Sequence, residues 1–215
     1  MKRIKLVALG TFLFLSTMII AQKDNHSKFA IKFSPTQLVT GELHFAYEQR
    51  VMKQGSIELG IGPTVSEIGI NSFFFENNLG YGGVLAESSL GFFTSLQFRY
   101  YPIEGLATAP RGLYIAPELK FRQYNTIYRD EITNLGERKG AINQISFKFF
   151  TGYQFWIGGR FAIDLFTAVG IGTSNITRHS VLQTYDPNTQ IYTGAWHESN
   201  RSVLRFTGAF GVKFG

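Results

Sequence analysis

Two hydrophobic rhythms divide the chain. The first is an apolar run from Leu6 to Ile20, broken only by Gly10, Thr11, Ser16 and Thr17. The second begins near residue 28, where apolar side chains recur at every other position. A period of two is the mark of strands with unlike faces. Eight segments carry it. Phe29, Ile31 and Phe33 share a face in Lys28–Ser34, as do Leu43, Phe45, Tyr47 and Val51 in Gly41–Val51. Ser56–Thr64 repeats the pattern with Ile57, Leu59 and Ile61, and Ser89–Tyr101 with Leu90, Phe92, Leu96, Phe98 and Tyr100. Gly112–Tyr124, Asn143–Trp156, Arg160–Gly172 and Ser202–Gly215 complete the set. No stretch after the first run has the 3.6-residue period of an amphipathic helix.

The links between segments differ in length. Met52–Gly55 and Ile157–Gly159 are short, and Pro102–Arg111 is of medium length. Pro35–Thr40 is also short, whereas Val65–Ser88, Asn125–Ile142 and Thr173–Arg201 are long. Tight turns at one end and long loops at the other characterise outer-membrane barrels. In the last long link, Asp186-Pro187-Asn188-Thr189 reads as a hairpin tip, so the last two strands are expected to continue upward as a ribbon. The fold class predicted is all-β, a transmembrane eight-stranded antiparallel up-and-down barrel.

Alternation alone also fits a soluble barrel with its apolar face inside. The face opposite the apolar one decides the orientation. It mixes charges with Gly, Ala and Ser, and eight strands leave room for little else in a lumen. Tyr47, Tyr100, Tyr153 and Trp156 stand near segment ends, where rings favour a membrane–water interface. The last segment ends in Phe210-Gly-Val-Lys-Phe214-Gly215, an apolar alternation of the kind the outer-membrane insertion machinery reads.

The N-terminus supplies the compartment. Lys2, Arg3 and Lys5 precede the apolar run, which ends in Ile20-Ala21-Gln22 before a polar stretch. This is the layout of a secretory signal peptide, with cleavage expected after Ala21. The organisation expected is therefore 1–21 signal peptide, 22–27 a short periplasmic tail and 28–215 the barrel. Without the three basic residues of the leader, 18 Lys and Arg face 15 Asp and Glu, and the net charge falls from +6 to +3. Nucleic acid is not an expected partner. Phe and Tyr number 21 and 10, Gly 23 and Cys zero, so disulfides, thiolate chemistry and a lipidated cysteine are excluded.

Several short motifs carry a resemblance. Gly152-Tyr153-Gln154, Gly158-Gly159-Arg160 and Phe161-Ala-Ile-Asp164-Leu-Phe166 resemble small outer-membrane barrel proteins of the Bacteroidetes type, an OmpA/OmpX-like eight-stranded group. Tyr47-Glu48-Gln49-Arg50 and Gly112-Leu-Tyr114-Ile-Ala-Pro117-Glu118 fit the same group. The resemblance implies an outer-membrane location and a monomer in contact with lipid and lipopolysaccharide. It implies no particular activity.

Strand parity sends Lys32, Arg50, Arg99, Lys120, Arg122, Lys148, Arg160, Arg205 and Lys213 to the lumen. Glu42, Glu48, Glu58, Glu118 and Asp164 join them. Buried charge must be paired, so an interlocked ion-pair plug is expected, with Glu48 beside Arg50 and Asp164 beside Arg160 or Arg205. A narrow anion-preferring passage is the other reading of the same residues, and His44 shares their face. His197-Glu198-Ser199-Asn200 resembles the His-x-Ser-Asn run of lipid A deacylases, in which His activates Ser. Here Arg201-Ser202 follow, and no acidic residue lies between Asn200 and the C-terminus to orient the His. No metal or cofactor motif appears. Phe73, Phe74 and Phe75 are candidate loop contacts, and Arg129, Arg138 and Lys139 are placed to meet lipopolysaccharide phosphates. The function expected is a non-enzymatic outer-membrane protein with a structural or surface-interaction role through its long loops. A narrow pore and a lipid-modifying enzyme are the alternatives.

Overall fold

The computed structural model describes residues 28–65, 84–103, 110–130, 135–158, 160–188 and 191–215. The expected leader and tail, and the Phe73–Phe75 triplet, lie outside the described residues. Eight strands follow one another: β1 Phe29–Ser34, β2 His44–Met52, β3 Gly55–Thr64, β4 Val84–Tyr100, β5 Gly112–Asp130, β6 Glu137–Ile157, β7 Phe161–Asp186 and β8 Ile191–Phe214. Each pairs antiparallel with the next, and β8 meets β1 to close a barrel.

The registers fix the barrel's dimensions. Phe33 pairs with Phe45, then Ile61, Thr94, Phe121, Ile145, Thr173 and Leu204 follow in turn around the wall. The residue facing Phe33 across the seam is Phe214, ten positions beyond Leu204. Eight strands with a stagger of ten tilt by about 40° and enclose a tube of about 8 Å backbone radius. Side chains from opposite walls meet in such a tube, so the inner face is a packed core.

That core is polar. Lys32, Glu48, Arg99, Gln154 and Asp164 are fully buried, whereas Leu59, Ile61, Phe149, Val169 and Ile171 on the other face are half or more exposed. Outward apolar residues run from Ile157 to Ile145 along β6 and from Leu113 to Phe121 along β5. Farther up, the outward positions become polar at Gln123 and Asn125, at Asn143, at Thr173 and Asn175, and at Ser202. The outward apolar band is about 25 Å tall. Tyr47, Tyr100 and Tyr153 stand outward near its lower edge. Trp156 does not join them. It shares the parity of Gln154, and its indole N–H donates to the Pro110 carbonyl at 2.6 Å.

Where they are described, the long upper links are largely strand. β4 begins at Val84 instead of Ser89, β5 extends to Asp130, and β6 starts at Glu137. β7 and β8 remain paired as far as Asp186 and Ile191, while β6 leaves β7 at Thr177. The last pair therefore rises as the expected two-stranded ribbon. At its base, His179 lies edge-on to Tyr128 and Trp196, with a ring nitrogen 3.1 Å from the Lys139 carbonyl. The Trp196 indole donates to the Leu135 carbonyl at 3.3 Å.

The opposite wall is low. Pro35 has no amide hydrogen to continue the ladder, and Pro35–Thr40 turns into a 3-10 helix capped by left-handed Gly41 at φ 76°. β1 consequently meets β8 at a single register pair among the described residues. Ser34 and Thr36 hydroxyls donate to the Val212 carbonyl at 3.1 and 3.4 Å, and Thr36 Oγ1 accepts from the Val212 amide at 3.3 Å. Above that point Phe210 and Phe206 are 82% and 90% exposed on β8.

Candidate functional site in the barrel lumen

The buried charges form two layers. The lower one lies near the end where β1 starts and β8 finishes. Lys32 on β1 reaches Glu48 at 2.5 Å, Glu58 at 3.1 Å and Asp164 at 3.2 Å, and donates to Gln154 at 2.9 Å. Arg99 on β4 holds Glu58 and Asp164 at 2.6 Å each. Its Nε donates to Gln97 at 2.6 Å, and its guanidinium lies 4.3 Å from the Tyr114 ring centroid. Lys213 on β8 donates to Glu58. Three cations thus meet three carboxylates across the full width of the tube.

Two tyrosines complete this layer. The Tyr101 hydroxyl donates to Glu48 at 2.9 Å, and the Tyr114 hydroxyl to Asp164 at 2.8 Å. Both are fully buried, and their rings stand 5.7 Å apart. Tyr114 needs Gly152 opposite it on β6. A Cβ there would fall 2.6 Å from the phenol and 2.5 Å from the Leu165 carbonyl. Small residues between the charges make room for rings and guanidinium reaching from other strands.

The upper layer is smaller. Lys120 bonds Glu42, and Arg122 holds the same carboxylate at 3.0 Å. Lys148 and Glu118 face each other on neighbouring strands at 3.8 Å. His44 lies 4.8 Å from Phe93, and the Lys120 ammonium is 4.6 Å from that ring. Higher still, Tyr124, Ile142 and Ile176 form an apolar cluster with Val203. The Tyr124 hydroxyl donates to the Thr40 carbonyl at 3.1 Å, tying the 3-10 helix to the far wall.

Most residues assigned by parity are in this network, but the partners differ. Glu48 pairs with Lys32, and Asp164 with Arg99 and Lys32. Arg50 is half-buried near the lower rim. Arg160 is exposed because it sits in the turn before β7. Arg205 has inward parity yet is exposed, and β1 has already ended beside it at Ser34. The expected charge network left out Tyr101, Tyr114, Gln97 and Gln154, although alternation puts the two glutamines on the luminal face. For three of them the signal was available: Tyr114 shares parity with Glu118, Gln97 with Arg99, and Gln154 with Lys148.

The other candidates are placed as follows. His197 and Ser199 lie on one face of β8, both exposed, with no hydrogen bond joining them among the described residues. Asn200 takes the other face, accepting from Thr177 at 2.7 Å and donating to Glu198 at 2.7 Å. Arg129 is bound to Glu87 at 2.9 Å and Glu137 at 2.6 Å. No group of three or more His, Asp or Glu suited to a metal occurs among the described residues. Among known proteins, no family model, no curated sequence and no solved structure matches this chain.

Proposed function

We propose that this protein is a closed outer-membrane barrel that acts as a surface-interaction platform, with its ribbon and upper loops as the working parts. The observation that carries the reading is the reversal of burial. Isolated buried ions cost many kcal/mol, and a belt of exposed Phe, Leu, Ile and Val would aggregate in water. Both features are stable when hydrocarbon surrounds the outside and paired charges fill the inside. The leader-like N-terminus supports export, and the final β8 alternation supports passage through the insertion machinery. Outer-membrane lipid and lipopolysaccharide are then its immediate surroundings.

The lumen favours a platform over a passage. The lower layer is fully buried and spans the tube, and the Tyr124 cluster lies above the upper one. Among the described residues, the β7–β8 ribbon is accessible, with Leu182 and Tyr185 exposed, and so is the edge of β8 above its one register pair with β1. An open strand edge is a template for strand addition by an extended peptide.

Fractionation tests the location, together with gel mobility in detergent before and after boiling. Outer-membrane recovery with a heat-dependent mobility shift is expected, and a soluble periplasmic protein would defeat the proposal. For the platform, a photocrosslinker at Leu182 or Thr193 should give discrete protein adducts on cells. The same probe at Phe147 in the belt should give lipid adducts alone. Identical adducts from both positions would remove the ribbon from the reading.

A further inference from the structure

The two luminal layers differ in charge balance. In the lower layer Lys32, Arg99 and Lys213 are matched by Glu48, Glu58 and Asp164. In the upper layer Lys120, Arg122 and Lys148 meet only Glu42 and Glu118. Both Lys120 and Arg122 are committed to Glu42. Lys148 has Glu118 at 3.8 Å, so the upper layer as a whole carries one more positive charge than negative among the described residues. An uncompensated ammonium in a dry interior is strongly unfavourable.

A cavity lies beside it. Gln37, His44, Glu118, Lys120, Lys148 and Lys213 are among its lining residues, and it leaves ≈ 10 Å³ of room for the centre of a water molecule. That is space for about one water-sized occupant. His44 is 97% buried there, with no hydrogen-bond partner at either ring nitrogen. A neutral imidazole carries one N–H that must donate somewhere. The site thus combines a layer with one surplus positive charge, a buried imidazole without a hydrogen-bond partner among the described residues and space for about one water-sized occupant, with Glu118 Oε1, likewise without a hydrogen-bond partner, on the same cavity.

We propose that this cavity binds a single monatomic halide, chloride under ordinary conditions, held by Lys148 and His44. The occupant is an acceptor, which suits a cavity lined by the Lys120, Lys148 and Lys213 ammoniums and the His44 imidazole, with Glu118 as the one carboxylate it must stand against. Its single charge balances the upper layer. A water molecule would fill the space without supplying the charge. The bound halide is a structural counter-ion of the plug. The site belongs to the barrel interior and forms wherever the barrel folds, in detergent as in a membrane.

The test uses the full mature chain folded in detergent, titrated with sodium chloride or bromide against sodium gluconate and sodium sulfate at matched ionic strength. A saturable rise in the thermal unfolding midpoint is expected with the two halides alone. Glu118→Gln removes the competing carboxylate and should lower the chloride concentration for half-saturation about tenfold. Lys148→Met should abolish the halide response. Should that variant fail to fold, bromide-soaked wild-type crystals decide the matter, since an anomalous peak is required between Lys148 and His44. The proposal is overturned by a halide response no larger than that to gluconate, by one that persists in Lys148→Met, or by a bromide map empty at that position.

Discussion

At the scale of single residues, the energetic weight rests on carboxylates that serve several cations at once. Glu58 is the clearest case, held by Arg99 at 2.6 Å, by Lys32 at 3.1 Å and by Lys213. Neutralising it would leave three buried cations to share Glu48 and Asp164. Breaking a buried pair by removing one partner costs about 3–5 kcal/mol. Glu58→Gln is therefore expected to lower the unfolding free energy of the refolded barrel, read from urea titration, by that amount. Arg129→Ala breaks two exposed pairs and should cost less than about 1 kcal/mol. Equal losses for the two variants in the same lipid would contradict the network's role. Which residues face inward was legible from parity. Which of them pair was not, because Lys32 and Asp164 lie 132 positions apart and meet only through the barrel's stagger.

Strand existence was legible at the scale of elements, and strand length was not. The alternation that marks β5 and β6 fades after Phe121 and before Ile145 because the outward positions turn polar at Gln123, Asn125 and Asn143. The ladder continues regardless, through Arg129↔Glu137. Hydropathy thus registers where the outward apolar belt ends, while backbone hydrogen bonding decides where the strand ends. The break after β1 has the opposite character: Pro35 announces it in the sequence, but its consequence appears only at the seam. There the Val212 amide and carbonyl rely on Ser34 and Thr36 hydroxyls, in a band where an unmade hydrogen bond is costly. Replacing Ser34 by Ala and Thr36 by Val together should destabilise the barrel by about 1–3 kcal/mol. Amide exchange at Val212 should accelerate in the double variant while exchange at Val169, paired within β7 and β8, stays unchanged. Uniform acceleration across both strands would instead mean that the seam is no weaker than the rest of the wall.

On the scale of the whole molecule, the stagger and the contents of the tube together govern permeability. Eight strands at about 40° tilt give a tube whose opposite side chains touch, and here the touching groups are a guanidinium, two lysines and two phenols in one plane of paired charge. Water entering that plane would have to displace hydrogen bonds to charged groups, each worth about 1.5–3 kcal/mol. The folded protein is therefore expected to give no stepwise current in planar bilayers. Shortening Arg99 and Tyr114 to Ser would remove two of the three largest side chains of the plane. Glu48, Glu58 and Asp164 would remain against Lys32 and Lys213, leaving the opening net negative. If this variant keeps its heat-modifiable mobility, it should pass small cation-selective currents. Steady conductance from the wild type would show that the charge layer lines a channel and would remove the ground for placing function on the ribbon.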